Sequence, residues 1–121
     1  MEENQTITLD LQVDGIIELD TKIAKQFGFT SDKFNGYLWR VNNTIVVSLI
    51  ESKYEGKGNV RQLLQNILHF GYDVFVPLPF TRMRSICQSL GFEETTVQDK
   101  EATVMGMHKE GRRDALGKLG S

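Results

Sequence analysis

The sequence predicts an α/β (α+β) fold in which a mixed β-sheet of about six strands is flanked by helices. Three observations carry it. Residues 6–13 alternate apolar and polar side chains with a period of two, the mark of a half-buried strand. Ile45 to Ile50 is nearly continuous in apolar residues, as in a central strand covered on both faces. That run is followed by a glycine-containing loop, a helix-period run and a second β-rich run, so residues 44–78 read as strand–loop–helix–strand. Short connections of this kind favour a parallel, right-handed crossover.

The elements follow in order. Ile7, Leu9, Leu11 and Val13 share one face of the first strand. Asp20 is the expected N-cap of a short helix that carries Ile23, Ala24 and Phe27 and stops at Gly28. Residues 36–41 and 44–51 form a hairpin through Asn42-Asn43, because asparagine tolerates positive φ in a tight turn. Val60, Leu63, Leu64, Ile67 and Leu68 recur at helical spacing, and Gly71 ends that helix. The run from Tyr72 to Pro79 is a strand. Proline cannot donate to a ladder, so pairing on that side should stop near Pro77. Thr81 is the expected cap of a last helix, with Met83, Ile86, Cys87 and Leu90 on one face. Residues 95–98 and 102–107 close the sheet as a hairpin around Asp99-Lys100. Residues 1–109 read as one domain and 110–121 as a flexible C-terminal tail, since no apolar period continues past Lys109.

Composition narrows the function classes. A chain of 121 residues with 40% hydrophobic and 25% charged residues is ordinary for a soluble globular domain. The net charge of −2 gives no electrostatic footprint for nucleic acid. Arg82 with Arg84, and Arg112, Arg113 and Lys118, are local clusters that also suit a solvated face and a loose tail. One cysteine permits no internal disulfide, the acidic start is unlike a signal peptide, and no apolar run is of membrane-spanning length. A cytoplasmic setting, without membrane, is therefore expected. Two histidines and one cysteine do not build a structural zinc site.

Residues 53–61, Lys-Tyr-Glu-Gly-Lys-Gly-Asn-Val-Arg, are the most informative stretch. A glycine loop at a strand-to-helix junction presents bare backbone N–H groups at the positive end of a helix dipole, which suits an anion, above all phosphate. The same residues also suit a plain turn before a helix.

Three motifs in order resemble the GNAT superfamily of N-acetyltransferases. Residues 45–68 resemble its fourth strand, pyrophosphate loop and following helix, with Glu55-Gly56-Lys57-Gly58-Asn59-Val60 over the family's Gln/Arg-x-x-Gly-x-Gly/Ala. Phe75 and Val76 fall on its fifth strand, and residues 84–94, containing Leu90-Gly91-Phe92-Glu93, are similar to its next helix and that helix's Leu-Gly-Phe-Glu ending. Thr103 to Lys109 resembles its last strand. The resemblance covers roughly residues 36–109, with an abbreviated N-terminal part. Small GNAT-like proteins of tailed phages are loosely similar too. Departures are Glu55 for Gln or Arg, Val60 for Gly or Ala, Phe80 at a frequent asparagine, and Cys87 at a frequent tyrosine acid.

The resemblance implies acetyl-CoA as co-substrate. Its pantetheine arm would lie along Leu49 and Ile50 in a splay between the strand at 48–50 and that at 74–76. Its pyrophosphate would lie on Gly56, Lys57, Gly58, Asn59 and Val60. Glu51, at the strand end, is a candidate general base, although no glutamate base of the family falls there; a solvent-facing strand-end charge is its alternative. Cys87, with an ordinary thiol pKa of about 8.5, is a candidate acid for the leaving thiolate, or a small buried residue on its helix. The implied activity is acetyl transfer to the amine of a small molecule or protein. The alternative is a catalytically inactive GNAT-like module that binds a partner or serves a structure. A homodimer fits either, and a nucleic-acid partner has only the basic clusters behind it.

Overall fold

A computed structural model describes residues 6–8, 15–98 and 103–112. In chain order the elements are β1 (Thr6–Thr8), β2 (Gly15–Glu18), α1 (Lys22–Phe27), β3 (Phe34–Val41), β4 (Thr44–Ser52), α2 (Asn59–His69), β5 (Asp73–Pro77), α3 (Thr81–Ser89), β6 (Glu93–Gln98) and β7 (Thr103–Lys109). The strands form one mixed sheet in the order β1-β6-β7-β5-β4-β3-β2. The expected α+β fold is present, with one strand more than the sequence count. That strand is β2, whose four residues are too short to show a period. Residues 9–13 of the expected first strand, and the expected Asp99-Lys100 turn, lie outside the described residues.

The crossover from β4 through α2 to β5 is the element that matters most. β4 and β5 are adjacent and parallel, as expected. β3 and β4 are an antiparallel hairpin whose turn residue Asn42 takes φ 54°. Between the pairs Tyr37↔Leu49 and Trp39↔Val46, β4 carries an extra residue, a β-bulge at Val47–Ser48. Beyond it Gly36 stands opposite Ile50 with φ 106°, and a Cβ there would overlap the Leu49 carbonyl oxygen.

All three helices pack on one face of the sheet. Phe27, Leu38, Ile45, Leu64, Ile67 and Val74 are the centre of that core. Gly28 ends α1 in the left-handed region at φ 80°, and the Asn66 side chain of α2 donates to the Phe27 carbonyl at 2.9 Å. The other face carries a smaller cluster of Val41, Val46, Phe75 and Val97, flanked by Trp39 and Val104. No described helix covers it.

Two caps differ from expectation. Thr21, not Asp20, caps α1, and its hydroxyl accepts the Ala24 N–H at 3.4 Å. Asp20 takes φ 66° and accepts the Ser31 N–H at 2.9 Å, so it pins the loop after α1 instead. Phe80, without a side-chain cap bond, precedes α3, and Thr81 is its first residue. Of the segment expected to be a tail, Glu110 to Arg112 is tied down. The Gly111 N–H donates to Asp73 at 2.9 Å and the Arg112 N–H to the Leu68 carbonyl at 2.8 Å. Residues 113–121 lie outside the described residues.

Gly36 tests the strand geometry. Replacing it with alanine combines a disfavoured φ with an overlap against backbone, so we predict a loss of about 2–4 kcal/mol. Urea denaturation of Gly36→Ala should show a lower midpoint at unchanged slope.

Candidate functional site

Residues 53–58 join β4 to α2 and carry two glycines in the left-handed region, Gly56 at φ 82° and Gly58 at φ 77°. A Cβ on either would meet nothing within 4 Å. The dihedral, not space, is what selects glycine here. Gly58 is the N-cap of α2 and no side chain bonds to that helix start. Its first-turn N–H groups therefore stay available at the positive end of the dipole.

A cavity of about 250 Å³ opens at this point, lined by Gly56, Gly58, Asn59, Val60, Arg61 and, from α3, Arg82. Arg82 reaches Glu55 at 3.7 Å, both side chains being largely exposed. Glu55 is thus held at the rim by an arginine. Val60, the branched residue at the third loop position, packs partly against the helix-side core. Lys57 is exposed beside them. Arg61 and Arg82 were not among the candidates from the sequence. Arg82 had been grouped with Arg84, but Arg84 pairs with Glu94 on β6.

The parallel ladder between β4 and β5 stops at Val46↔Phe75, while β4 runs on to Ser52. Beyond those residues the strands part. Pro77 closes β5 and pairs only towards β7, opposite Gly106. Of the candidates on β4, Ile50 packs against the helix-side core, whereas Leu49 faces the other side and is 52% exposed. Glu51 is exposed on that same open face, and the Asn35 amide donates to it at 3.2 Å. A second cavity, of about 240 Å³, lies on the open face and is lined by Trp39, Val41, Val46, Ser48 and Pro77. The parting of β4 and β5 thus has a cavity on the open face beside it and the glycine loop at the end of β4. Trp39 borders this cavity beside the bulge, a position with no local sequence signal.

Cys87 is brought to neither cavity. It is 0% exposed in the core with Phe92, and burial pushes its thiol up to about 11. A third cavity, of about 330 Å³, is lined by Leu78, Pro79, Phe80, Arg84, Glu94 and Met105. Its Phe80 is 88% exposed, and Leu78 takes a rare positive φ of 42°.

Comparison of the chain with protein-family models, with curated proteins and with solved structures yields no match. Among the described residues there is no cluster of histidine, cysteine and acidic side chains suited to a metal, and no helix long and apolar enough to cross a membrane.

His69 is exposed and contacts Arg112 at 3.2 Å, whereas His108 is half-buried on β7. Burial holds the His108 imidazole below its ordinary 6.5, against the pull of Asp73, Glu110 and Glu93. The unfolded chain then binds the proton more readily than the fold. The stability this contributes is present above pH 6.5 and lost as the pH falls below it. We predict a melting temperature that declines from about pH 6.5 towards pH 5, with a shallower decline in His108→Gln.

Proposed function

We propose that this protein is an acetyl-CoA-dependent N-acetyltransferase of GNAT type. The observation that carries the reading is the parallel β4–β5 ladder that ends at Val46 and Phe75, with an uncapped, glycine-entered helix starting after β4. The residues present fit the co-substrate. Orphan N–H groups of α2, with Arg61 and the Glu55-paired Arg82 around them, suit a pyrophosphate. The freed side of β4 beyond Val46 suits the extended amide-containing pantetheine arm.

Acetyl-CoA supplies a thioester carbon open to attack. The amine would form the C–N bond and lose a proton to a base, the C–S bond would break, and coenzyme A would leave as the thiolate. Glu51 is the group we assign to take that proton, directly or through water, from the open face. Burial leaves Cys87 to packing, so leaving-group protonation falls to solvent in this reading. A reducing cytoplasm is the setting it implies. The alternative, an inactive module that docks a partner, is favoured by one observation, the exposed apolar surface of Leu78, Phe80 and Met105.

Calorimetry and thermal shift with acetyl-CoA test the reading. A ligand that binds only the native state raises the melting temperature by mass action. We predict binding, tightened about three- to ten-fold in Glu55→Gln, which frees Arg82, and weakened about ten-fold in Arg82→Ala. Glu51→Gln should leave binding unchanged and lower acetyl transfer by roughly a hundred-fold. No heat and no thermal shift at millimolar acetyl-CoA would favour the binding module.

A further inference from the structure

The sheet separates charge between its two faces. Among the described strands the only arginine and lysine are Arg40 and Lys109, and both lie on the helix side, while the His108 imidazole lies on the open face with its affinity for a proton lowered by burial. Arg40 sits over the Tyr72 ring at 5.1 Å, and the Lys109 ammonium lies beside Gly91 after α3. The open face carries carboxylates instead. Glu18 is opposite Tyr37, Glu51 is opposite Asn35, and Glu93 is opposite His108. Asp73 lies on this face too and is used by the Gly111 N–H. The cations at the glycine loop are thus on one side of the sheet and an acidic, aromatic surface is on the other.

Among its described lining residues, the cavity beside Trp39 offers the Ser48 hydroxyl and the indole N–H as its polar side-chain groups, and the rest are apolar. Tyr37 extends its aromatic wall, edge to face with Trp39 at 5.3 Å. Its volume of about 240 Å³ suits a small molecule rather than a folded partner. Aromatic faces attract cations, and a surface with carboxylates and no strand cation raises the local concentration of cationic ligands while repelling anions.

We infer that this cavity is the acceptor site and that its ligand is a small cationic amine on an apolar body without a carboxylate. The assignment of the cavity as an acceptor site rests on the acetyltransferase reading; the selectivity rests on the charge and lining of the open face. The apolar body fills the space between Trp39, Val46 and Pro77. The nitrogen lies towards Ser48, where β4 and β5 part. The carboxylate of an amino acid of the same body would approach a face that carries Glu18 and Glu51 on the neighbouring strand positions.

Trp39 is the only tryptophan of the chain, so its fluorescence reads this site directly and without acetyl-CoA. The probes are 2-phenylethylamine, phenylalanine and 2-phenylethanol, which share one ring. We expect saturable change with the amine at a concentration at least about ten-fold lower than with the other two. The double variant Glu18→Gln, Glu51→Gln, with its melting temperature checked, should remove most of that preference. Equal response to all three probes, or none to any, overturns the inference. So does saturation by the amide of N-acetyl-lysine but not by 2-phenylethylamine, which would make a protein amino group the acceptor. Acetyl-CoA binding without amine binding sinks this inference alone. Amine binding with no acetyl-CoA binding sinks the acetyltransferase reading and leaves an amine site.

Discussion

The candidate site depends on where β4 and β5 stop pairing. Parallel strands in a sheet ordinarily keep their ladder along the shared length, because each unpaired buried backbone group is costly. Here two local features stop it. The bulge at Val47–Ser48 inserts one residue and turns the rest of β4, and Gly36 lets the strands meet at that turn without a side chain in the way. Pro77 ends β5 and offers no N–H. The crossover geometry then sets α2 behind the gap. Its uncapped start therefore lies just beyond the strand end that the bulge has freed.

Among the described residues, packing behind the gap is concentrated on one side. The helix-side core, with Leu64, Ile67, Val74 and Val76 fully or nearly fully buried, fixes α2 against β4 and β5. The opposite face has a smaller cluster and no described helix. The same asymmetry shapes the electrostatics. Arginines gather where helix starts already favour anions, and carboxylates gather on the strand face that no described helix covers. Glu55 runs against this trend, and its pairing with Arg82 neutralises part of the loop cavity's positive charge.

Much of this fold was legible in the sequence because its signals are local. The period of Val60 to Leu68, the Asn42-Asn43 turn, the two prolines after Phe75 and the stops at Gly28 and Gly71 each act within a few residues. The glycine loop was legible for the same reason. What escaped depends on contacts distant in sequence. Thr21 caps α1 because Asp20 is drawn to Ser31 across the loop. Arg82 joins the loop because α3 packs beside the start of α2. Trp39 borders a cavity because the bulge sits one strand away. The depth of Cys87 was legible from its phase with Met83, Ile86 and Leu90, whereas the half-burial of His108 was set by a face that no single strand reveals.

In the proposed reading, acetyl-CoA lies across both the gap and the loop. Amide chemical shifts measured by NMR during titration with acetyl-CoA test it most directly, because they report where the ligand sits. The largest changes should fall at residues 47–50 and 56–61 together, with smaller ones around Leu78, Phe80 and Met105. Changes confined to that latter patch, or to one of the two predicted stretches without the other, would contradict it.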